Sequence, residues 1–123
     1  PQKGSRHNRG CAVDLSLFDL TTGKLLEMPT EFDDFTDQAS PKYDGATEQQ
    51  TKNRDTLRAA MEAEGFTVND NEWWHFDYKD WQDYAIYDIP FSAVKDLEPK
   101  LSKAKIEEKK RTAAKRRKIH KKD

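Results

Sequence analysis

The chain has 123 residues, 34% hydrophobic and 37% charged, which suits a single domain with a small core for its length. Its lone cysteine, Cys11, excludes an intrachain disulfide and a thiolate zinc finger, and no apolar run is long enough to cross a bilayer. The net charge of −1 hides two opposed parts: residues 1–99 hold 10 Lys/Arg against 20 Asp/Glu, and residues 100–123 hold 12 against 3. That asymmetry, changing sign near Pro99, marks a folded part, residues 1–94, and a Lys/Arg-rich solvated helical or disordered tail, residues 95–123.

Cys11 to Phe18 reads as a strand, with Cys11, Val13, Leu15 and Leu17 on the core face and Asp14 pointing away from it. Thr21-Thr22-Gly23-Lys24 is a turn signal, and Lys24 to Met28 is the returning strand. Residues 29–45 are polar and broken by Pro29, Pro41 and Gly45, so they form a long loop of the kind that lines sites. Thr47 to Glu64 is the clearest helix: Thr47 with Gln50 has capping-box spacing, Gly65 is the stop, and Leu57, Ala60, Met61 and Glu64 share one stripe. A turn at Asn69-Asp70-Asn71 precedes an aromatic strand from Trp73 to Phe76, and Tyr84 to Phe91 reads as one more strand ended near Pro90. This order predicts an α+β fold with a small, mainly antiparallel sheet and a packed helix, followed by a basic helical tail.

Two stretches carry candidate chemistry: Ser5 to Asp14, and Glu72-Trp73-Trp74-His75. A catalytic zinc needs three protein ligands and one open position, and two imidazoles with one carboxylate leave the ion positive enough to acidify water. His7 and Asp14 would stand about 23 Å apart on a continuous strand, so shared coordination requires a reversal, which Asn8-Arg9-Gly10 can provide. Residues three apart lie on opposite faces of a strand, so His75 is placed within the strand and Glu72 at its irregular start. Each residue also has a plainer reading. A lone histidine is more often surface or core, Asp14 can be a solvated strand residue, and Glu72 can be a turn carboxylate.

The combination Ser5-x-His7-x-x-Gly10-x-Ala12-x-Asp14-Leu15, followed by Glu72-Trp73-Trp74-His75, resembles the VanX-type D-alanyl-D-alanine dipeptidases of peptidase family M15. The likeness runs from about Gly4 to Phe91 and takes in Thr22-Gly23-Lys24-Leu25, Phe32-Asp33, Asn53-Arg54, Leu57, Met61 and Gly65-Phe66. It implies a Hedgehog/DD-peptidase-like fold and one zinc ion per chain, held by His7, Asp14 and His75. Glu72 would be the general base toward metal-bound water. Asp33 would receive the substrate's free amino group, and Ser5 would stand near the bound dipeptide. The implied substrate is D-Ala-D-Ala from a bacterial cell-wall precursor or wall turnover, in the cytoplasm or the cell envelope.

Family members also have an upstream arginine, in a half of the domain that precedes the histidine motif. This chain begins six residues before His7 and neither Arg6 nor Arg9 takes that role, so the expectation is an N-terminally truncated relative. The alternatives are a zinc-binding fragment of impaired activity and a binding module acting through its basic tail. Residues 100–123 read first as a solvated extension, with non-specific contact to anionic polymers or lipid as the functional reading. No interleaved aromatics support base stacking, so no specific nucleic-acid partner is expected. The oligomeric state is left open.

Overall fold

The structure, a computed structural model, describes residues 4–96 and 105–111. Two compact units are present: one takes the described residues up to Cys11 and from Asp80 onward, the other is Ala12–Lys79. The strands are β1 (Ala12–Asp14), β2 (Phe18–Asp19), β3 (Lys24–Leu25), β4 (Phe66–Asn69) and β5 (Glu72–Tyr78), with helix α1 (Glu48–Ala63) between β3 and β4. Both sheets are antiparallel, a three-stranded one in the order β1-β5-β4 and a two-stranded β2-β3 hairpin. The fold is therefore small and α+β, as predicted.

The aromatic run of β5 explains the layout of the second unit. Trp73 through Asp77 are five consecutive buried residues, so this strand is paired on both edges and covered on both faces. Trp73, Trp74 and Phe76 join Met28, Ala39 and Leu57 in the core, and Leu15, Leu17, Met61, Phe66 and Val68 pack against it. Both tryptophans are core residues, meeting edge to face at 5.3 Å between ring centroids.

Helix α1 starts and stops where the sequence signals place it. Thr47 Oγ1 accepts from the Gln50 N–H (3.2 Å), Gln50 Oε1 accepts from the Thr47 N–H (3.0 Å), and Gly65 takes φ 84° just past the end. Its buried face differs from the predicted stripe. Asn53, Arg54 and Leu57 are buried, whereas Ala60 and Glu64 are exposed. Asn53 Nδ2 donates to the Glu27 carbonyl (2.8 Å) and Arg54 Nη1 to the Tyr43 carbonyl (2.7 Å). Counting apolar residues overlooks side chains that enter the interior because they have backbone partners there.

Several predicted strands change: Lys24–Met28 is cut to β3 (Lys24–Leu25), and Trp73–Phe76 lengthens to β5 (Glu72–Tyr78). The Cys11–Phe18 strand is cut to β1 and β2, with the Leu15 N–H still donating to the Trp74 carbonyl (3.1 Å). Burial departs from the predicted faces at Ala12, which is buried across from buried Asp77, and at Val13, which is exposed; Cys11 is buried, Asp14 is exposed and Leu15 and Leu17 pack against the core, as predicted. The segment Tyr84 to Phe91 is not a strand. It follows a 3-10 turn, Trp81–Asp83, and leads into another, Phe91–Asp96. Tyr84 forms a single bridge, Pro90 has no N–H for a ladder, and the Tyr87 N–H donates to the Asn8 carbonyl (2.7 Å).

In the basic tail, residues 105–111 are helical, and the rest of residues 97–123 lie outside the described residues. Lys105 meets Asp83 (2.9 Å) and Glu108 (3.3 Å), which hold its ammonium pKa above the ordinary lysine value, and Lys110 meets Glu107 (3.0 Å). No helix of the described residues is long and apolar enough to cross a membrane.

The capping box makes a direct prediction. Thr47→Ala removes the hydroxyl acceptor and should lower stability by about 1 kcal/mol in urea denaturation, with Thr47→Ser close to the parent. A second concerns the hairpin turn, where Asp19 Oδ1 accepts from the Thr21 (2.7 Å) and Thr22 (3.2 Å) N–H groups. These bonds favour the carboxylate and lower the pKa of Asp19 from 3.8. Its contribution is therefore present above the unfolded value and lost as pH falls through the lowered folded value. NMR titration of the Asp19 carboxyl should place its midpoint below that of Asp19 in the denatured chain.

Candidate active site

Strand β5 carries two of the predicted site residues and β1 a third. In the β1–β5 register Asp14 stands directly opposite His75, on the same face of the sheet. Asp14 Oδ1 lies 3.0 Å from His75 Nδ1. Glu72 would fall on the other face of a regular strand. Pairing between β4 and β5 is irregular, however: Val68 faces Phe76, yet Asn69 faces Glu72 where regular continuation would set it against His75. This displacement turns Glu72 toward His75, with Oε2 3.7 Å from Nδ1. Asn69 Nδ2 donates to that Oε2 (3.3 Å), so the residue that breaks the register also holds the carboxylate.

On its other side, His75 Nε2 lies 3.1 Å from Asp77 Oδ1, and both residues are buried. Sequence reasoning did not single out Asp77. The available signal was position: two residues beyond His75 on a strand means the same face.

A neutral imidazole has one N–H, but His75 has a carboxylate facing each ring nitrogen. With the N–H directed to Asp77, a cation between Nδ1 and the Asp14 carboxylate would make that approach favourable. Two ligand atoms of a tetrahedral zinc lie about 3.3 Å apart when each is about 2 Å from the ion. The Asp14–His75 spacing fits that requirement, and imidazole with carboxylate is a fitting donor set.

His7 belongs to the other unit, in a 3-10 turn, His7–Arg9, closed by Gly10. Gly10 has φ 66° and donates its N–H to the His7 carbonyl (2.9 Å), so the predicted reversal is there and uses left-handed backbone. Two arginines brace the turn. Arg6 and Arg9 place their guanidinium carbons 4.4 and 5.4 Å from the Trp81 ring centre, and Arg9 also donates to the Tyr84 carbonyl. Ser5 helps to shape the same turn, its Oγ accepting from the His7 N–H (3.2 Å) and its N–H donating to Asn8 Oδ1 (3.1 Å).

Asp33 lies exposed in the long loop of the second unit with φ 59°, a left-handed conformation that aspartate tolerates better than most residues. Neighbouring Phe32 packs its ring 5.7 Å from Trp73 and 5.8 Å from Trp74, and Trp73 Nε1 donates to Thr30 Oγ1 (2.9 Å). These contacts fasten the loop to β5.

A histidine on the central strand, with Asp14 from the neighbouring strand and Glu72 and Asp77 from its own gathered about its ring, is a set of groups suited to holding a metal ion. The family model described as D-ala-D-ala dipeptidase, Peptidase M15, matches residues 1–96. The chain belongs to this family, whose members are metallopeptidases.

Among curated proteins it is similar to the D-alanyl-D-alanine dipeptidase of Enterococcus faecium, 38% identical over 76 residues, which are 62% of this chain and 38% of that protein. It is also similar to the D-alanyl-D-alanine dipeptidase of Escherichia coli K12, 34% identical over 89 residues, covering 72% of this chain and 46% of the relative. For the enzyme of that name from Streptomyces coelicolor the figures are 37% over 76 residues, 62% and 38%. The chain thus spans less than half the length of each of these relatives.

Gly10 provides a test of the turn that presents His7. No atom lies within 4 Å of a Cβ built there, so only the backbone angle opposes a side chain. Gly10→Ala should cost about 1 kcal/mol of stability in thermal unfolding, and Gly10→Asn should cost less, asparagine being more at ease with positive φ.

Proposed function

We propose that this chain acts as a zinc-dependent dipeptidase on D-Ala-D-Ala, with His7, Asp14 and His75 holding one zinc ion and Glu72 as general base. The observation that carries this reading is the approach of the Asp14 and Glu72 carboxylates to one imidazole nitrogen of His75. Family membership and the relatives' names support the substrate assignment. When bound, zinc would polarise the scissile carbonyl and acidify a water molecule.

The rest of the chemistry falls to the chain's own groups. Glu72 stands beside His75 without being needed as a ligand, so its carboxylate is free to take the proton from the attacking water. It then returns that proton to the departing D-alanine amine, completing the addition of water across the peptide bond. Asp33, in the acidic loop, would pair with the free ammonium group of the dipeptide and so select short peptides read from their N-terminus. Ser5 would stand near the same dipeptide, on the turn that presents His7. Residues 1–94 would carry this activity, and residues 95–123 would be a basic appendage making non-specific anionic contacts.

The test is zinc content together with amine release from D-Ala-D-Ala. The parent should contain about one zinc per chain and lose hydrolysis on chelation, regaining it when zinc is restored. Glu72→Ala should keep its zinc and lose activity by about 10²–10⁴-fold, whereas His75→Ala should lose the metal. Hydrolysis that survives Glu72→Ala, or zinc content indifferent to His75→Ala, would sink the assignment. Stoichiometric zinc without hydrolysis by the parent would reduce the reading to metal binding.

A further inference from the structure

Asp77 is a buried carboxylate that the proposed hydrolysis does not use. It lies at the middle of the sheet, with Ala12 across from it on β1 and Thr67 on β4. Its backbone is therefore held from both sides. Its side chain leans toward His75: residues two apart on a strand are separated by about 7 Å, yet Asp77 Oδ1 comes within 3.1 Å of His75 Nε2. Packing alone would be better served in this slot by an apolar side chain, since a buried carboxylate keeps its charge only with partners. What a carboxylate adds is an acceptor for the ring N–H.

We propose that Asp77 is a positioning residue that keeps the proton of His75 on Nε2 and aims the Nδ1 lone pair toward Asp14 and Glu72. Without that acceptor, the ring can exchange which nitrogen carries the proton, and rotation about its bond to Cβ can carry Nδ1 away from Asp14. A carboxylate behind a liganding imidazole also makes the imidazole a better donor, and loss of such a partner weakens metal binding about 10–100-fold. The inference rests on the metal-binding reading of His75, so its test includes one measurement that needs no metal.

In the metal-free chain, NMR with isotope-labelled histidine should show the His75 Nε2 proton as a hydrogen-bonded, slowly exchanging resonance. That resonance should vanish in Asp77→Ala. With zinc, chelator competition should give an affinity about 100-fold weaker for Asp77→Ala and about 10-fold weaker for Asp77→Asn, whose amide oxygen still accepts a hydrogen bond but has no charge. In the cadmium-loaded chain, metal–nitrogen coupling should assign Nδ1 as donor in the parent and a mixture of both nitrogens in Asp77→Ala.

If Asp77→Ala does not fold, as judged by far-UV circular dichroism, Asp77→Asn decides the question on affinity. An unchanged Nε2 resonance in folded Asp77→Ala would overturn the proposal. So would zinc affinities for folded variants within about twofold of the parent, well short of that range. A parent that binds no zinc overturns the zinc assignment alone, and the metal-free resonance still decides the role of Asp77.

Discussion

Everything in the larger unit follows from placing polar groups inside a strand that has no exposed face. Trp73 to Asp77 are buried without a break, so His75 and Asp77 are out of water together. A buried imidazole and a buried carboxylate are tolerable only when they satisfy each other or a third partner. They do so at 3.1 Å, and this leaves the second imidazole nitrogen facing the adjoining strand. The same burial that makes β5 the centre of the sheet thus gives His75 a fixed direction. Aromatic packing supplies the rigidity: Trp73 and Trp74 meet edge to face, and Phe32 rests on both.

A second constraint works against the first. An ordinary strand sends residues 72 and 75 to opposite faces, so perfect pairing would separate Glu72 from His75. The sheet gives up regular register between Val68 and Asn69, and the Asn69 side chain holds Glu72 where the irregularity leaves it. Irregular pairing of this kind commonly re-aims a side chain next to a functional site. Here it changes a three-residue spacing, which would suit a helix, into a usable arrangement on a strand.

The smaller unit shows how a histidine can be presented by a turn with little apolar support. His7 itself is exposed, but its turn is closed by a left-handed glycine, shaped by the Ser5 hydroxyl and braced by two arginines on Trp81. Arginine is suited to this work because its planar cation can lie over an aromatic face while its N–H groups reach a carbonyl, as Arg9 does with Tyr84. Arg6 and Arg9 therefore have a local structural explanation in the sequence flanking the histidine.

Local rules carried the sequence a long way. The capping box at Thr47 and Gln50, the glycine stop at Gly65 and the reversal at Gly10 were legible because each depends on a few adjacent residues and on backbone angles that favour particular side chains. The α+β class and the M15 likeness were legible too, the latter through residue types at fixed spacings. Long-range partners decided what those rules could not reach. Tyr84 to Phe91 had strand-like residues, but among the described residues it makes a single bridge at Tyr84 and a backbone bond from Tyr87 in place of a ladder. Asn53 and Arg54 lie off the predicted stripe of α1 and are buried because their side chains donate to the Glu27 and Tyr43 carbonyls, distant in the chain. Asp77 passed as one acid among many. Its meaning came from burial beside His75, and burial is fixed by the packing of both neighbouring strands, not by any residue next to it in the chain.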